Sequence, residues 1–590
     1  MDRKYNRDWK RSNKRLRLFI EEGDDNIDKL DSDTPGEGEE APDCATTSGS
    51  NVLTSETSPS AAEVVATTAE NIDVNPVDSD DDNVYDYGFN EHMHSSDSEP
   101  ELIGACAAPG VEVQTLDQEL AKWAVETRQT DHAINSLLGI LRGHGHNFPK
   151  DKRTLLATPR QVEVKDKCNG QYIYYGVEQG VTRYLSVCPE FTGDIEPFGN
   201  IDGTPLFKSS RTELWPILAK FHDSQPFLVG LFCGVGKPKP VAEYLLDLVE
   251  ELKHLQTNGI MYGGVMHRFT LRGFVCDAPA RAFLKNIKGH NAIEGCERCV
   301  EKAVRSNNKQ TFLSTATHES RTDLGFSQLQ YPEHQHGPSP LLDAGILCIQ
   351  QFPLDYMHLI SLGVTKRLLH FLLNGPDVCR LRPRAREQLS ERLVMLRGAM
   401  PAEFARQPRS LKELDRWKAT ELRQFILYTG SVVLEGVVDD AYYEHFLTLS
   451  VATSILLESD DSKRQTYLPY AKELMEHFVR NSAELYSNDF PVYNVHSLRH
   501  VADDAAYFGS SLNDISCFPF ENHLQSLKKM VRKSCNPIAQ ITKRVAERQH
   551  VQSDILRPKY KGHFVSAKPP NFCFLLKNED FVFIRENRRQ

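Results

Sequence analysis

The stretch CFPFENHLQSLKKMVRK, residues 517–533, sets one carboxylate among several cations on a helical pattern. At about 100° per residue, Phe520, Leu524, Leu527 and Val531 share a narrow sector and form an apolar stripe for a core. Glu521, Lys528 and Arg532 fall together at the edge of that stripe, where a cleft between core and solvent would run. A carboxylate flanked by cations at such an edge suits a divalent metal ion beside a phosphate. The same pattern also fits an ordinary amphipathic helix with charges on its wet flank, so the neighbouring chain has to decide.

Upstream, FGNIDGTPLF at 198–207 places Asp202 within a short apolar segment, and FLVGLFCGV at 227–235 reads as a buried strand. PVAEYLLDLVEELKHL at 240–255 repeats Leu at helical spacing; HRFTLRGFVCD at 267–277 reads as a strand ending in Asp277, and APARAFLKNI follows as a helix. This is the order of a ribonuclease-H-like α/β core, in which acids on two strands are completed by a third on a late helix. The expected fold is therefore such a core interrupted by a large, mostly helical insertion, with Glu521 as the third acid. Helical patterns at 354–373, 386–400, 421–438 and 467–486 fill the interval.

At 590 residues the chain exceeds an ordinary domain several times over. Its net charge of −12 is unevenly spread: residues 1–20 hold eight Lys/Arg against two Asp, residues 21–100 hold 23 Asp/Glu against one Lys, and residues 101–590 are left at +4. An acidic average thus does not exclude a nucleic-acid partner, because the body is mildly basic. The spacing of patterns predicts a basic arm at 1–20, whose KRSNKRLR reads as a nuclear-import signal, a phosphate-gripping arm or a solvated terminus. A disordered acidic low-complexity tail follows at 21–112, too poor in apolar residues to offset chain entropy. Next come a helical hairpin and a β-hairpin within 113–190, the latter in CNGQYIYYGVEQGVTRYLSV at 168–187. The first part of the core spans 191–290, the insertion 291–515, the helix with the third acid 516–560, and a C-terminal segment 561–590. Thirteen scattered cysteines and no apolar leader point to a reducing compartment, and no apolar run reaches membrane-spanning length.

Two pairs have metal-ligand spacing: Cys296-x-x-Cys299 and His496-x-x-x-His500. A CxxC turn aims two thiolates at one point, and histidines four apart share a helix face, so together they make a Cys2His2 set for structural zinc that would staple the insertion's start to its end. Each pair alone also has an ordinary polar reading. Asp355 and His358, one turn apart in LDYMHLISLG, are weaker candidates, since such a pair also serves simply to cap a helix.

These motifs, in this order, resemble those of transposases of the CACTA (En/Spm) class of cut-and-paste DNA transposons. The resemblance spans residues 116–560 and rests on IDGTPLFKSSRTELWPIL around Asp202 and CDAPARAFLKNIKGHNAIEGCERC joining Asp277 to the cysteine pair. It rests equally on LDYMHLISLGVTKRLL around His358, and on HSLRHV followed by the Glu521 stretch. It implies Asp202, Asp277 and Glu521 as a triad holding Mg2+ or Mn2+, strengthens the zinc reading, and makes double-stranded DNA, as transposon ends and target, the partner of a nuclear homo-oligomer. Lys528, Lys529, Arg532 and Lys533 would then hold the DNA backbone without reading sequence. No separate DNA-binding module stands ahead of residue 116, which leaves end recognition open. The alternatives are a domesticated, non-catalytic nuclear DNA-binding or adaptor protein, and a ribonuclease-H-like nuclease without strand joining.

Overall fold

The computed structural model describes residues 115–551 apart from 208–209, 222–223 and 402, together with the backbone of 573–575 and 581–583. The expected basic arm, acidic tail and most of the C-terminal segment lie outside the described residues, all of which belong to the larger of the chain's two units, Phe89–Gln590. The described chain is mixed α/β, built on one mixed sheet with many helices.

Helices α1 (Leu116–Glu126) and α2 (Asp131–Gly143) form the expected hairpin around Ala121, Ala124, Ile134 and Leu138. The sheet runs β1 (Lys165–Lys167), β2 (Gly170–Tyr174), β6 (Phe227–Val235), β5 (Thr212–Lys220), β3 (Phe198–Ile201), β9 (Gly273–Phe274), with β4 (Thr204–Pro205) beside β5. β7 (Ile260–Tyr262) and β8 (Val265–His267) pair apart from it. All neighbours in the main sheet are antiparallel except β3 and β9, which are parallel. β5 is central and buried from Leu214 through Ala219, as a strand covered on both faces must be. Helix α4 (Val241–Asn258) buries Leu245, Leu248, Leu252 and Leu255 against Trp215, Ile217 and Phe232 of the sheet. Each such Leu contributes roughly 1.5–3 kcal/mol relative to exposure.

Four expectations need correction. Only the first half of 168–187 is hairpin; Val177–Val187 is helix α3, because Val177, Val181 and Leu185 recur every four residues and all reach the core. Glu251 of α4 fixes its start, accepting from the backbone N–H groups of Val177 and Glu178 at 2.8 and 3.1 Å, where a carboxylate complements the helix dipole. Past His267, which ends β8, the strand expected over 267–277 keeps ladder geometry only at β9. Its flank, Ile195 and Pro197, pairs irregularly with Arg268, Thr270 and Arg272. A side chain at Gly273 would strike the Gln351 carbonyl, 2.3 Å from an ideal Cβ, so the close approach of residue 351 demands glycine there. The third correction concerns the Glu521 helix, taken up below.

Helix α5 (Ala278–Lys285) follows β9. The segment from 291, expected as mostly helical, opens instead with loops and a small hairpin, Val304–Ser306 with Lys309–Thr311. A parallel bridge between Cys276 and Leu354 adds one further position to the sheet edge beyond β9. Only then do the long helices begin. A π-helical turn at Met357–Thr365 leads into α6 (Lys366–Asn374), followed by α7 (Pro383–Met395), α8 (Asp440–Leu456), α9 (Asp461–Tyr486) and α10 (Tyr493–Phe508). The chain returns to the sheet through α11 (Phe518–Met530) and α12 (Pro537–His550). α12 is tied to the sheet side by Thr542, whose hydroxyl lies 2.7 Å from that of Tyr175. Among the described residues no helix is long and apolar enough to cross a membrane.

Candidate metal centres

Parallel pairing places the first two acids together. Phe198 pairs with Gly273 and Gly199 with Phe274, so Asp202 and Asp277, each three residues past the second pair, come to the same end of neighbouring strands, their backbones about one strand spacing (~4.8 Å) apart. The register is held beyond the ladder by Asn200, whose Nδ2 donates to the Val275 carbonyl at 2.8 Å. Asp277 also caps α5, accepting from the Ala280 N–H at 2.7 Å. The bridge from Cys276 to Leu354 continues the row, putting Asp355 next in line.

Asp355 is fully committed to protein. It accepts from the backbone N–H of Cys517 at 2.7 Å, from that of His358 at 2.9 Å, and lies 2.6 Å from His358 Nδ1. The first of these bonds pins the start of α11 over the sheet edge, and Glu521 sits in that helix's first turn. Glu521 and Asp202 come within hydrogen-bonding reach of each other, and His358 Nε2 lies 3.8 Å from Glu521 Oε1. The structure thus brings Asp202, Asp277 and Glu521 together, with His358 as a fourth group oriented by Asp355. The side chains of Glu521 and His358 are each 30% exposed, so the cluster opens to solvent.

Electrostatics follow from crowding. Burial, then the charges of Asp277 and Glu521, push the Asp202 carboxyl well above its usual range; burial likewise raises Glu521, opposed by His358. Burial works against a charged imidazole at His358, but Asp355, Glu521 and Asp277 outweigh it and push its pKa up to about 10. Three carboxylates in one place are short of positive charge, and a divalent cation would meet that need. Asp355, His358 and Cys517 also converge. The Asp355 oxygens are already engaged, and burial with nearby carboxylates holds the Cys517 thiol well up, so that trio is a hydrogen-bonded brace.

The second centre gathers Cys296, Cys299, His496 and His500, a set that could hold a metal ion. The two sulfurs are 3.5 Å apart and the two Nε2 atoms 3.4 Å apart. The sulfur-to-nitrogen separations are 3.2 Å from Cys296 to His496, 3.4 Å from Cys299 to His496 and 3.7 Å from Cys296 to His500. Sulfur and nitrogen ligands placed tetrahedrally at ~2.3 and ~2.0 Å from one ion lie about 3.3–3.8 Å from each other; four of these five separations fall in that range and the fifth, at 3.2 Å, just below it, an arrangement compatible with such a shell. The N–H groups of Arg298 and Cys299 point at the Cys296 sulfur, 3.4 and 3.3 Å away. Behind the shell, His496 Nδ1 faces the buried Glu301 carboxylate at 3.3 Å, and Phe312 stacks on the His496 ring. A carboxylate behind a ligand histidine fixes its tautomer and ring plane.

The two residues between the cysteines join this centre to the acids. Glu297 accepts from Arg281 Nε at 2.7 Å and from the Tyr493 hydroxyl at 2.6 Å, and pairs with Lys285. Arg281 in turn donates to the carbonyl of Cys276, the residue before Asp277. Arg298 pairs with Asp504 at 2.8 Å, and Asp504 accepts from the N–H of Leu354, the residue before Asp355. Sequence reasoning passed over this network because charged side chains are normally read as solvated. The available signal was Asp277, Arg281 and Lys285 spaced four apart on one helix face that also carries Ala280 and Leu284.

The cations expected to grip DNA are split. α11 ends at Met530, with Val531 extended, so Met530 rather than Val531 completes the buried stripe. Arg532 and Lys533 therefore leave the Glu521 flank; their N–H groups donate to Gln540 Oε1, and the Arg532 guanidinium reaches the Arg128 carbonyl at 3.4 Å. Lys528, seven residues after Glu521, stays on its face about 10 Å along the helix. Lys529 and Arg532 line a cavity with Arg128, Lys152, Arg544 and Arg548 between α1, α11 and α12. The sequence matches no known protein-family model and no curated protein.

Proposed function

We propose that the chain is a transposase-like enzyme, of the kind its resemblance to the CACTA class implies, which cuts and joins DNA strands by metal-dependent phosphoryl transfer. The observation that carries this reading is the convergence of Asp202, Asp277 and Glu521 from two register-matched strand ends and one late helix. A ribonuclease-H-like core is supported by the same sheet. In chain order, three antiparallel strands (β3, β5, β6) are followed by a helix, a fourth strand parallel to the first, and a fifth position at Leu354. The first acid follows the first strand, the second follows the fourth, and the third comes on a helix that returns after the long helical region.

Asp202, Asp277 and Glu521 would hold Mg2+ or Mn2+, hard ions that suit oxygen ligands, while the sulfur and nitrogen set would hold Zn2+. When bound, a pair of divalent ions supplies Lewis-acid stabilisation of the attacking and leaving oxygens. The chain's own residues supply the alignment. Asp355 orients His358 toward Glu521 and holds α11 against the sheet edge. Lys528, on the Glu521 face, and Lys529, Arg532 and Lys533 further along would meet phosphates of double-stranded DNA, in transposon ends and target. Nuclear location and a homo-oligomer belong to the same reading, since two DNA ends must be processed together.

The test is to incubate the full chain with Mg2+ and labelled duplexes taken from any inverted repeats that flank its coding sequence, beside the Asp202→Asn and Glu521→Gln variants. Cleavage and joining by the wild type, absent from both variants, supports the proposal. Cutting without joining indicates a nuclease, and binding without cutting indicates a non-catalytic DNA-binding protein.

A further inference from the structure

One turn beyond Asp277 a groove of about 580 Å3 opens between α5 and the loop that follows β6. Its lining includes Phe283 and Pro279 of α5, Lys237 and Lys239 of the loop, and Asn286, His290 and His336. No Asp or Glu lines it. Lys237 holds its ammonium 5.4 Å from the Trp215 ring centre and 5.6 Å from that of Phe283, so cation and aromatic faces meet at the rim. The groove adjoins the acidic cluster closely enough for His290 to feel the charge of Asp277.

A ligand for this surface carries negative charge for the lysines, a flat apolar face for the Phe283 wall, and polar edges for the amide and imidazoles. A nucleotide in an unpaired strand has all three, whereas a duplex keeps its base faces stacked inside and offers only phosphates and groove edges. The volume falls within the range of small-ligand sites and suits one or two nucleotides. We infer that this groove binds an unpaired nucleotide of the DNA strand running on from the phosphate held at Asp202, Asp277 and Glu521. The inference rests on the proposal that DNA is processed at those acids, and it assigns Lys237, Lys239 and Phe283 to substrate binding.

The experiment measures binding of the full chain, without added divalent cations, to two duplexes of one sequence. One is blunt; the other carries a two-nucleotide overhang containing 2-aminopurine. The overhang should bind about tenfold more tightly, the order of one base–aromatic stack, and its fluorescence should be quenched. Lys237→Ala with Lys239→Ala should abolish that advantage and flatten the salt dependence by about 0.7 per lost phosphate contact on a single strand. Phe283→Leu, which keeps an apolar side chain against Trp215, should remove the quenching and leave the salt dependence unchanged. Equal affinity for both duplexes in the wild type, or an overhang advantage that survives all these changes, overturns the inference while leaving the strand-transfer reading intact. Failure of the wild type to bind either DNA, both without divalent cations and with Mg2+ added, overturns both.

Discussion

Glu297 is a sensitive point at which to disturb the structure without touching a candidate metal ligand. Burial opposes its charge, but Arg281, Lys285 and Arg298 outweigh burial and hold its carboxyl well below the usual range. Glu297→Gln keeps the shape and one acceptor oxygen but leaves Arg281 and Lys285, both buried, without their counter-ion. Removing one member of a buried pair costs about 3–5 kcal/mol, mostly the penalty of the stranded charge. At ~2–4 °C per kcal/mol for a unit of this kind, the melting temperature should fall by on the order of 10 °C. The loss should ease as pH rises. Burial already lowers the Lys285 pKa, and without Glu297 it falls further. The folded variant then binds fewer protons than the unfolded chain below the ordinary lysine range, so its stability increases with pH. Adding Lys285→Met should restore part of the loss. Thermal melts of the wild type, Glu297→Gln and the double variant at pH 7 and 9 decide the matter. A single variant melting within about 2 °C of the wild type would show that the network bears no strain worth ~1 kcal/mol, and the argument for it would fall.

Cys299→Ser should lower bound zinc by one ion per chain in elemental analysis and destabilise the fold, since the binding energy of a structural metal is folding energy; unchanged metal content would refute the tetrahedral assignment. Glu521→Gln should weaken Mn2+ binding at least tenfold by titration while the melting temperature holds or rises, because a crowded negative charge is removed; a loss of folding would make the helix structural only. His445 is buried with Nε2 2.9 Å from the Phe478 carbonyl, and burial pulls its pKa down to about 3. The unfolded chain therefore binds the extra proton, and stability should decline as pH falls from 6.5 toward 3, by about 1.4 kcal/mol per unit for this side chain. His445→Asn should show a shallower decline in pH-dependent melts, and an unaltered slope would contradict the neutral buried assignment.

What could be read in advance was whatever depends on local periodicity and ligand chemistry. The leucines of α4 and the stripe of Phe520, Leu524 and Leu527 announce their helices, and CxxC with HxxxH announces its geometry across a long separation. The β9 region was harder because only two of its residues pair regularly, and they do so under a constraint from Gln351 that no local pattern reports. Val177–Val187 misled because Val, Tyr and Thr favour strands, while the spacing of the three buried positions and a capping Glu251 decided for helix. The stop at Met530 also escaped local reasoning: Val531 continues the apolar period, but the chain turns there to reach Gln540. Asp355 looked like a simple cap. Its role in placing Glu521 depends on Cys517, which only the folded chain brings to it.

Viewed as chain topology, the Cys/His centre ties a knot in a long loop. Cys299 and His496 are 197 positions apart yet 3.4 Å from sulfur to nitrogen, so the chain passes through the sheet core at residues 326–352, runs out into the long helices and returns to almost the same point. For a tied loop the entropy of closure grows only with the logarithm of its length, so doubling it would cost roughly 0.6 kcal/mol. Outside the stretch 326–358, which packs in the sheet core and places Glu521, residues of this loop can thus be gained, lost or rearranged at little cost to its closure. A chain built this way can take on new helices without moving its acids.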